Sequence, residues 1–482
     1  MRRLTQALGV GAVGLFAAPA YAHSFGKLYT LPVPFWLYGW ASAAALLLSF
    51  FAVAALSSQP KPDRSATSLD YPYRTFSSVA SCLLMMLRGL ALGALLLAII
   101  SGFFGNQDAY RNINMTLFWI VFVLGLAYVT VLVGDIFSLI NPWRLMTSCI
   151  KQARWKYPVQ FAYWPALLLY MGFIWLELFG DLHPQQLSAW LLAYSLVNVI
   201  GVYCLGAAAW FRYVEFFSVM FRLLGKLSPV SYRLANKECS GGWRLRWPGA
   251  GLMESKPTHI SEVVFILFML SSTAFDGLHN TQVWALLYWQ DVFAALSPWL
   301  GTNVVTAYAI LKPLYLGYQS LALLLSPWIY GLILAGCLWI MCRLTASSAS
   351  LSHVLYRFSY SLLPIVVVYH FTHYFTLVLG QGPQLLNLLS DPLGLGWNLL
   401  ALQSTQVGGV LLDMSWVWHL QVGLILLGHI ASVFVAHDVA RQLYATSRLV
   451  WISQLPLLIL MMAFTVFGLW ILAQPLDTVV LR

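Results

Sequence analysis

Apolar runs about twenty residues long recur along the whole chain with almost no charge inside them, a length that matches the hydrocarbon core of a bilayer when coiled as an α-helix. Candidate spans run Pro34 to Leu56, Val79 to Phe104, Thr116 to Ile140, Phe161 to Phe179, Leu187 to Trp210, His259 to Phe275, Pro327 to Met341, Phe358 to Leu379, Trp416 to His437 and Trp451 to Leu472. Between Asn280 and Leu325 a mixed stretch carries Asp291, Lys312, Pro298 and Pro313, and it fits either a hairpin of two spans or helices lying in the interface. In hydrocarbon every backbone polar group must be satisfied internally, so only helices or a closed barrel can cross. Runs such as Ala91 to Ile100 and Leu457 to Met462 lack the alternation of a barrel strand. The expected fold is therefore all-α, a polytopic transmembrane bundle of about ten to twelve spans. Composition agrees: with 60% hydrophobic and 9% charged residues and a mean hydropathy of +0.76, too little polar surface exists to cover a soluble globule of 482 residues.

The chain begins MRRLTQALGVGAVGLFAAPAYA, a charged start, an apolar stretch and a small-x-small end at Ala20 and Ala22, which is the pattern of a signal peptide over residues 1–22. Cleavage there makes His23 the mature N-terminus and leaves 23–482 as one helical domain with short loops. The formal charge of +10 is explained by topology. Lys61, Arg64 and Arg74 follow the first span, Arg144, Lys151, Arg154 and Lys156 the third, and Arg212, Arg222, Lys226, Arg233, Lys237, Arg244, Arg246 and Lys256 the fifth. Positive residues in short loops are retained on the cytoplasmic side. The expected location is thus a bacterial inner membrane, with His23, the Gly105 to Met115 loop and the Gln381 to Ser415 loop outside. No aromatic-interleaved basic groove points to nucleic acid. Cys82, Cys149, Cys204, Cys239, Cys337 and Cys342 have no CxxC spacing and suggest neither a disulfide framework nor a zinc ribbon.

Ionisable residues inside a span cost several kcal/mol unless they face the bundle interior and find partners, which makes them site candidates. The densest group is Tyr369-His370-Phe371-Thr372-His373-Tyr374, where His370 and His373 stand about one helical turn apart. The next span carries His419, His429 and His437 and runs antiparallel, which sets His429 near the depth of His370. A divalent transition metal ion held by His370, His373, His429 and His437 is one expectation, and haem b between His370 and His429 is another. Asp276 closes an apolar segment on the side expected to hold His373, whereas His259 and Glu262 at the other end of that segment suit a helix cap. His23 with a free amine would suit Cu(II). Glu177 and Asp181 at an outer helix end are accounted for by snorkelling, and Asp135 is placed to pair with Arg144. The same residues fit a proton- or metal-coupled transporter, whose mark would be a polar route from Asp276 and His373 to His259, Glu262 and His437.

Taken together, AHSFG followed by LPVPFWLY, NPWR after the third span, STAFDG, YHFTHY, DPLGLGWN and GHIASVFVAHDVA resemble a family of bacterial polytopic membrane proteins, some labelled fenitrothion hydrolase. The resemblance implies cleavage of a lipophilic organophosphate ester that arrives through the lipid bilayer, with a metal-bound water attacking phosphorus. On that reading His370, His373, His429, His437 and Asp276 are the candidate ligands, Asp276 doubles as general base, and a lipophilic small molecule and a second membrane subunit are the partners to look for.

Overall fold

The structure, a computed structural model, describes residues 33–56, 72–234, 241–300, 304–401 and 413–474. The expected signal peptide and His23 lie outside the described residues. The fold is all-α, 77% helical, and among the described residues nine helices are long and apolar enough to cross a membrane. In chain order the main helices are α1 (Phe35–Leu56), α2 (Ser78–Phe104), α3 (Ile113–Val133), α4 (Trp164–Phe179), α5 (Pro184–Leu205), α6 (Phe216–Leu224), α7 (Ile260–His279), α8 (Val304–Leu344), α9 (Leu363–Gln381), α10 (Met414–Leu443) and α11 (Ser447–Ala473). Helix α4 is apolar but only 16 residues long, and α6 is shorter still.

Local chemistry sets the boundaries. Ser77 caps α2 by accepting from the Ala80 amide, and Asn112 caps α3 by accepting from that of Asn114. The expected third span ran on to Ile140, but α3 stops at Val133 because Gly134 turns to φ +95°, a left-handed conformation. The undecided stretch between Asn280 and Leu325 contains two short helices, Gln282–Leu286 and Phe293–Leu300, followed by the first half of α8, and the Tyr288 hydroxyl donates to the Leu311 carbonyl at 2.9 Å. With 41 residues α8 is about 60 Å long, roughly twice a hydrocarbon core.

Hydrogen bonds and close contacts fix the helix directions. Ser271 meets Ser326 at 2.7 Å and Gly331 faces Leu267, so α7 and α8 are antiparallel. Ser432 bonds to the Ser361 carbonyl, Gly428 lies against Val368, and Gln421 donates to the Thr372 carbonyl, so α9 and α10 are antiparallel as well. The Asn106 amide donates to Leu393 O (2.8 Å), tying the loop after α2 to the DPLGLGWN loop at one end of the bundle. At the other end a small antiparallel sheet, order β1-β3-β2, joins Arg74–Thr75, Gly242–Leu245 and Val230–Arg233. Loops rich in positive charge, distant in sequence, therefore meet on one face. There Arg246 donates to the Ser228 and Gly225 carbonyls and, with Arg244, to Glu254.

Helices α2 and α5 touch at Gly102. Asn114 Nδ2 donates to Pro184 O at 2.8 Å and to Ser188 Oγ at 3.2 Å, and Ser188 Oγ donates to Ala98 O at 3.0 Å. A Cβ on Gly102 would stand 2.0 Å from Ser188 Oγ and 2.3 Å from Pro184 O, so only glycine permits this approach. Gly102→Val is expected to lower stability by about 2–3 kcal/mol through overpacking, read as a lower melting temperature of the detergent-solubilised protein.

Asp135, beyond the end of α3, caps the following turn. Its carboxylate accepts from the Ser138 amide at 3.0 Å, and Arg144 and Arg222 act on it as nearby positive charges. Burial nevertheless pushes its carboxyl up to about 6. A raised acid pKa means that ionisation costs folding stability, a cost absent below the ordinary aspartate value near 4, growing between there and about 6, and complete above. Asp135→Asn keeps the capping oxygen and is expected to melt higher than the native chain at pH 8, with the difference closing by about pH 4.

Candidate functional site

Helix α7 runs through the middle of the bundle, and 94% of its spanning window is buried. Its sequence, ISEVVFILFMLSSTAFDGLH, holds two acidic residues, Glu262 near the start and Asp276 near the end. Surrounded by other helices, neither can reach bulk water, so each must be satisfied by protein groups.

Asp276 is 1% exposed. Its Oδ2 bonds His373 Nε2 at 2.8 Å and accepts from the Tyr374 hydroxyl at 2.8 Å, both from α9. The same hydroxyl lies 3.3 Å from Glu177 Oε1, the lone acid of α4. His370 packs edge-on against the Tyr374 ring, and His279 and Asn280 both hold the Asp276 carbonyl at 2.8 Å. His373 is the more open member, with 15% of its side chain exposed. Backbone packing leaves room for this ring: His373 Nδ1 lies 3.8 Å from where a Cβ on Gly277 would sit.

Proton counting restricts what the cluster can hold. A tyrosine hydroxyl has one proton, so when Tyr374 donates to Asp276 its contact with Glu177 is a bond only if Glu177 carries a proton of its own. With Glu177 and Asp276 both protonated, each of the three links from Glu177 through Tyr374 and Asp276 to His373 holds one proton, and shifting each by one site carries a proton from Glu177 to His373 without moving a heavy atom.

Fourteen positions earlier on both helices the motif recurs. Tyr360, in the turn leading into α9, donates to Glu262 Oε1 at 2.6 Å, and the Thr258 amide lies 3.4 Å from Oε2. The Lys226 ammonium sits 4.6 Å from the centre of the Tyr360 ring and donates to Ser255. Burial pulls the Lys226 amine down to about 8. Helices α7 and α9 are therefore parallel, with two carboxylate–tyrosine rungs separated by about 21 Å of helix rise.

The remaining candidates are distributed. His259 caps α7, its ring accepting from the Ser261 amide, as its position at a helix start suggested. His437 Nδ1 is bonded to Gln454 Nε2 at 2.9 Å between α10 and α11. His429 lies near the depth of His370, since its neighbour Gly428 meets Val368, but its Nδ1 bonds the Ile425 carbonyl at 2.8 Å and its ring lines a cavity of about 20 Å³. His419 bonds Ser415 O and approaches the Tyr38 hydroxyl. Of Asp276, His370, His373, His429 and His437, Asp276 and His373 share a hydrogen bond. Among the described residues no three His, Cys, Asp or Glu side chains are grouped to hold a metal ion. The cavity beside His429 has room for about one water and not for a porphyrin. Asp135 accepts from the Ser138 amide, and the Arg144 guanidinium lies over the Phe211 ring.

Sequence reasoning assigned no role to Tyr360, Tyr369 or Tyr374 and left Glu177 to snorkelling. The available signals were the matched fourteen-residue spacings of Glu262/Asp276 and Tyr360/Tyr374, and the single charge in α4. Compared with models of protein families, with curated proteins and with solved structures, the chain matches none. Fold and site together define a multi-pass helical membrane protein with an acid–tyrosine–histidine cluster buried among its helices.

If Tyr374 bridges both acids, the effects of removing it and Glu177 must couple. Tyr374→Phe is expected to cost about 1–3 kcal/mol, and the Tyr374→Phe/Glu177→Gln double variant less than the sum of the single ones. Additive melting-temperature changes would show that the hydroxyl serves Asp276 alone.

Proposed function

We propose that the protein is a proton-coupled transporter of a bacterial inner membrane, in which the Asp276, His373, Tyr374 and Glu177 cluster binds and releases the coupling proton. The observation that carries this reading is the hydrogen-bonded chain itself, two carboxylates joined by one hydroxyl and ending on a partly open imidazole. Keeping ionisable groups at this depth costs stability, and their use as a proton site is a common reason for such groups to be retained. The Glu262–Tyr360 rung at the other end of α7 and α9 gives the same helix pair a second proton-accepting group near the opposite face. Lys226 against the Tyr360 ring, with Arg222 and Arg246 close enough to act on it, supports that rung's facing the cytoplasm. The Asp276 cluster then faces outward.

A second reading, hydrolysis of a lipophilic ester, is favoured by one observation: Asp276 holds His373 through Nε2, the arrangement by which a carboxylate orients an imidazole as general base. Release of nitrophenol from a nitrophenyl phosphate triester by purified protein, lost in His373→Ala, supports hydrolysis; no release above a vesicle blank removes it.

Transport is tested in proteoliposomes loaded with pyranine, a pH dye, under an imposed pH gradient, with sodium, potassium or tetraphenylphosphonium as the opposing solute. At least one solute is expected to collapse the gradient faster than in empty vesicles, and Asp276→Asn to slow that collapse tenfold or more. No solute-dependent flux with any of the three, or an Asp276→Asn variant as fast as the native chain, overturns the proposal.

A further inference from the structure

A different group of residues, on the side of α7 and α9 turned toward α8, α10 and α11, encloses the small cavity already noted. Its walls include Leu270 and Ala274 of α7, Tyr330 of α8, Tyr369 of α9, His429 of α10 and Phe467 of α11. Three polar side chains line it, Tyr330, Tyr369 and His429. His429 is 3% and Tyr369 6% exposed, and neither His429 Nε2 nor the Tyr369 hydroxyl meets a hydrogen-bonding partner in the protein. Two unpartnered polar atoms on side chains that line one cavity each forfeit a hydrogen bond unless something occupies that space.

Size and chemistry select the occupant. The Ile425 carbonyl can only accept, so His429 Nδ1 carries its proton and, in the neutral ring, Nε2 presents a lone pair. Tyr369 offers a hydroxyl proton. A group that donates to one and accepts from the other is needed, and a volume of about 20 Å³ admits one oxygen. We infer that this cavity is a binding site for a single hydroxyl group, which donates to His429 Nε2 and accepts from the Tyr369 hydroxyl. Packing shapes the site for this: a Cβ on Gly468 would come within 3.0 Å of the Tyr369 ring, so α11 lies directly on the tyrosine and holds it in place.

The hydroxyl has two sources. One is a trapped water. The other is the head of a lipophilic alcohol or phenol, because Phe467 also lines an open apolar groove of about 610 Å³ between α1 and α11, walled by Phe35, Trp40, Ala463 and Trp470. One aromatic ring therefore separates the polar cavity from a groove long enough for a hydrocarbon tail.

Nitrogen-15 NMR of histidine-labelled full-length protein in lipid vesicles tests the site, with the His429 resonances assigned by their disappearance in His429→Gln. The expected result is the Nδ1–H tautomer with Nε2 shifted upfield of a free lone pair, a shift lost in Tyr369→Phe while the tautomer persists. A water source shows this shift in delipidated protein and is unaffected by Ala463→Trp. An amphiphile source shows it only on titration with 4-octylphenol, saturably, and Ala463→Trp blocks it. An Nε2 at the free lone-pair position both with and without the phenol, or an Nε2–H tautomer, overturns the inference. The readout does not depend on proton transport, so the site stands or falls separately from the proposed function.

Discussion

Everything in this bundle is arranged around the cost of putting two carboxylates on a helix that touches almost nothing but other helices. Helix α7 is buried along nearly its whole length, and Glu262 and Asp276 stand at its two ends. Water cannot reach them freely, so α9 and the turn that leads into it supply a tyrosine to each, and the Asp276 end is completed by a histidine and a second acid. The directions of the neighbouring helices follow, with α8 antiparallel to α7 through the serine pair and α10 antiparallel to α9 through small-residue and backbone contacts. Lipid-facing helices such as α2, only 6% buried over its spanning window, then need little beyond apolar surface.

The two ends of the bundle do different work. One end is closed by loop-to-loop hydrogen bonds between Asn106 and the DPLGLGWN turn and by the asparagine contacts around Gly102. The other is closed by guanidinium groups bonded to backbone carbonyls and by a three-stranded sheet whose members come from loops far apart in sequence. Arginine suits this role because its planar fork satisfies several carbonyls at once where helices end.

The all-helical class and the position of most spans were legible because hydrophobic run length is read directly from sequence. The break at Gly134 and the extension of α8 back to Val304 were not: one depends on a single backbone angle, the other on a segment too polar to pass as a span yet supported by packing such as Tyr288 on Leu311. At the site, Asp276 and His373 were both picked out and do meet, since an ionisable group inside an apolar run advertises itself. The tyrosines did not, because a phenol in a hydrophobic span reads as one more aromatic until its hydroxyl finds a partner. His429 lies near the depth of His370, as Gly428 against Val368 shows, but its ring bonds the Ile425 carbonyl: helical periodicity gives the angle of a residue on its own helix, not the angle at which that helix turns toward its neighbours.

The matched rungs also carry a mechanical implication. Two hydrogen-bonded crosslinks about 21 Å apart on parallel helices prevent α7 and α9 from sliding past each other unless both carboxylates let go at once. The pair therefore behaves as a single rigid stave. On the proposed transport reading, opening to one side of the membrane or the other would pivot the surrounding helices about that stave and leave its own register unchanged.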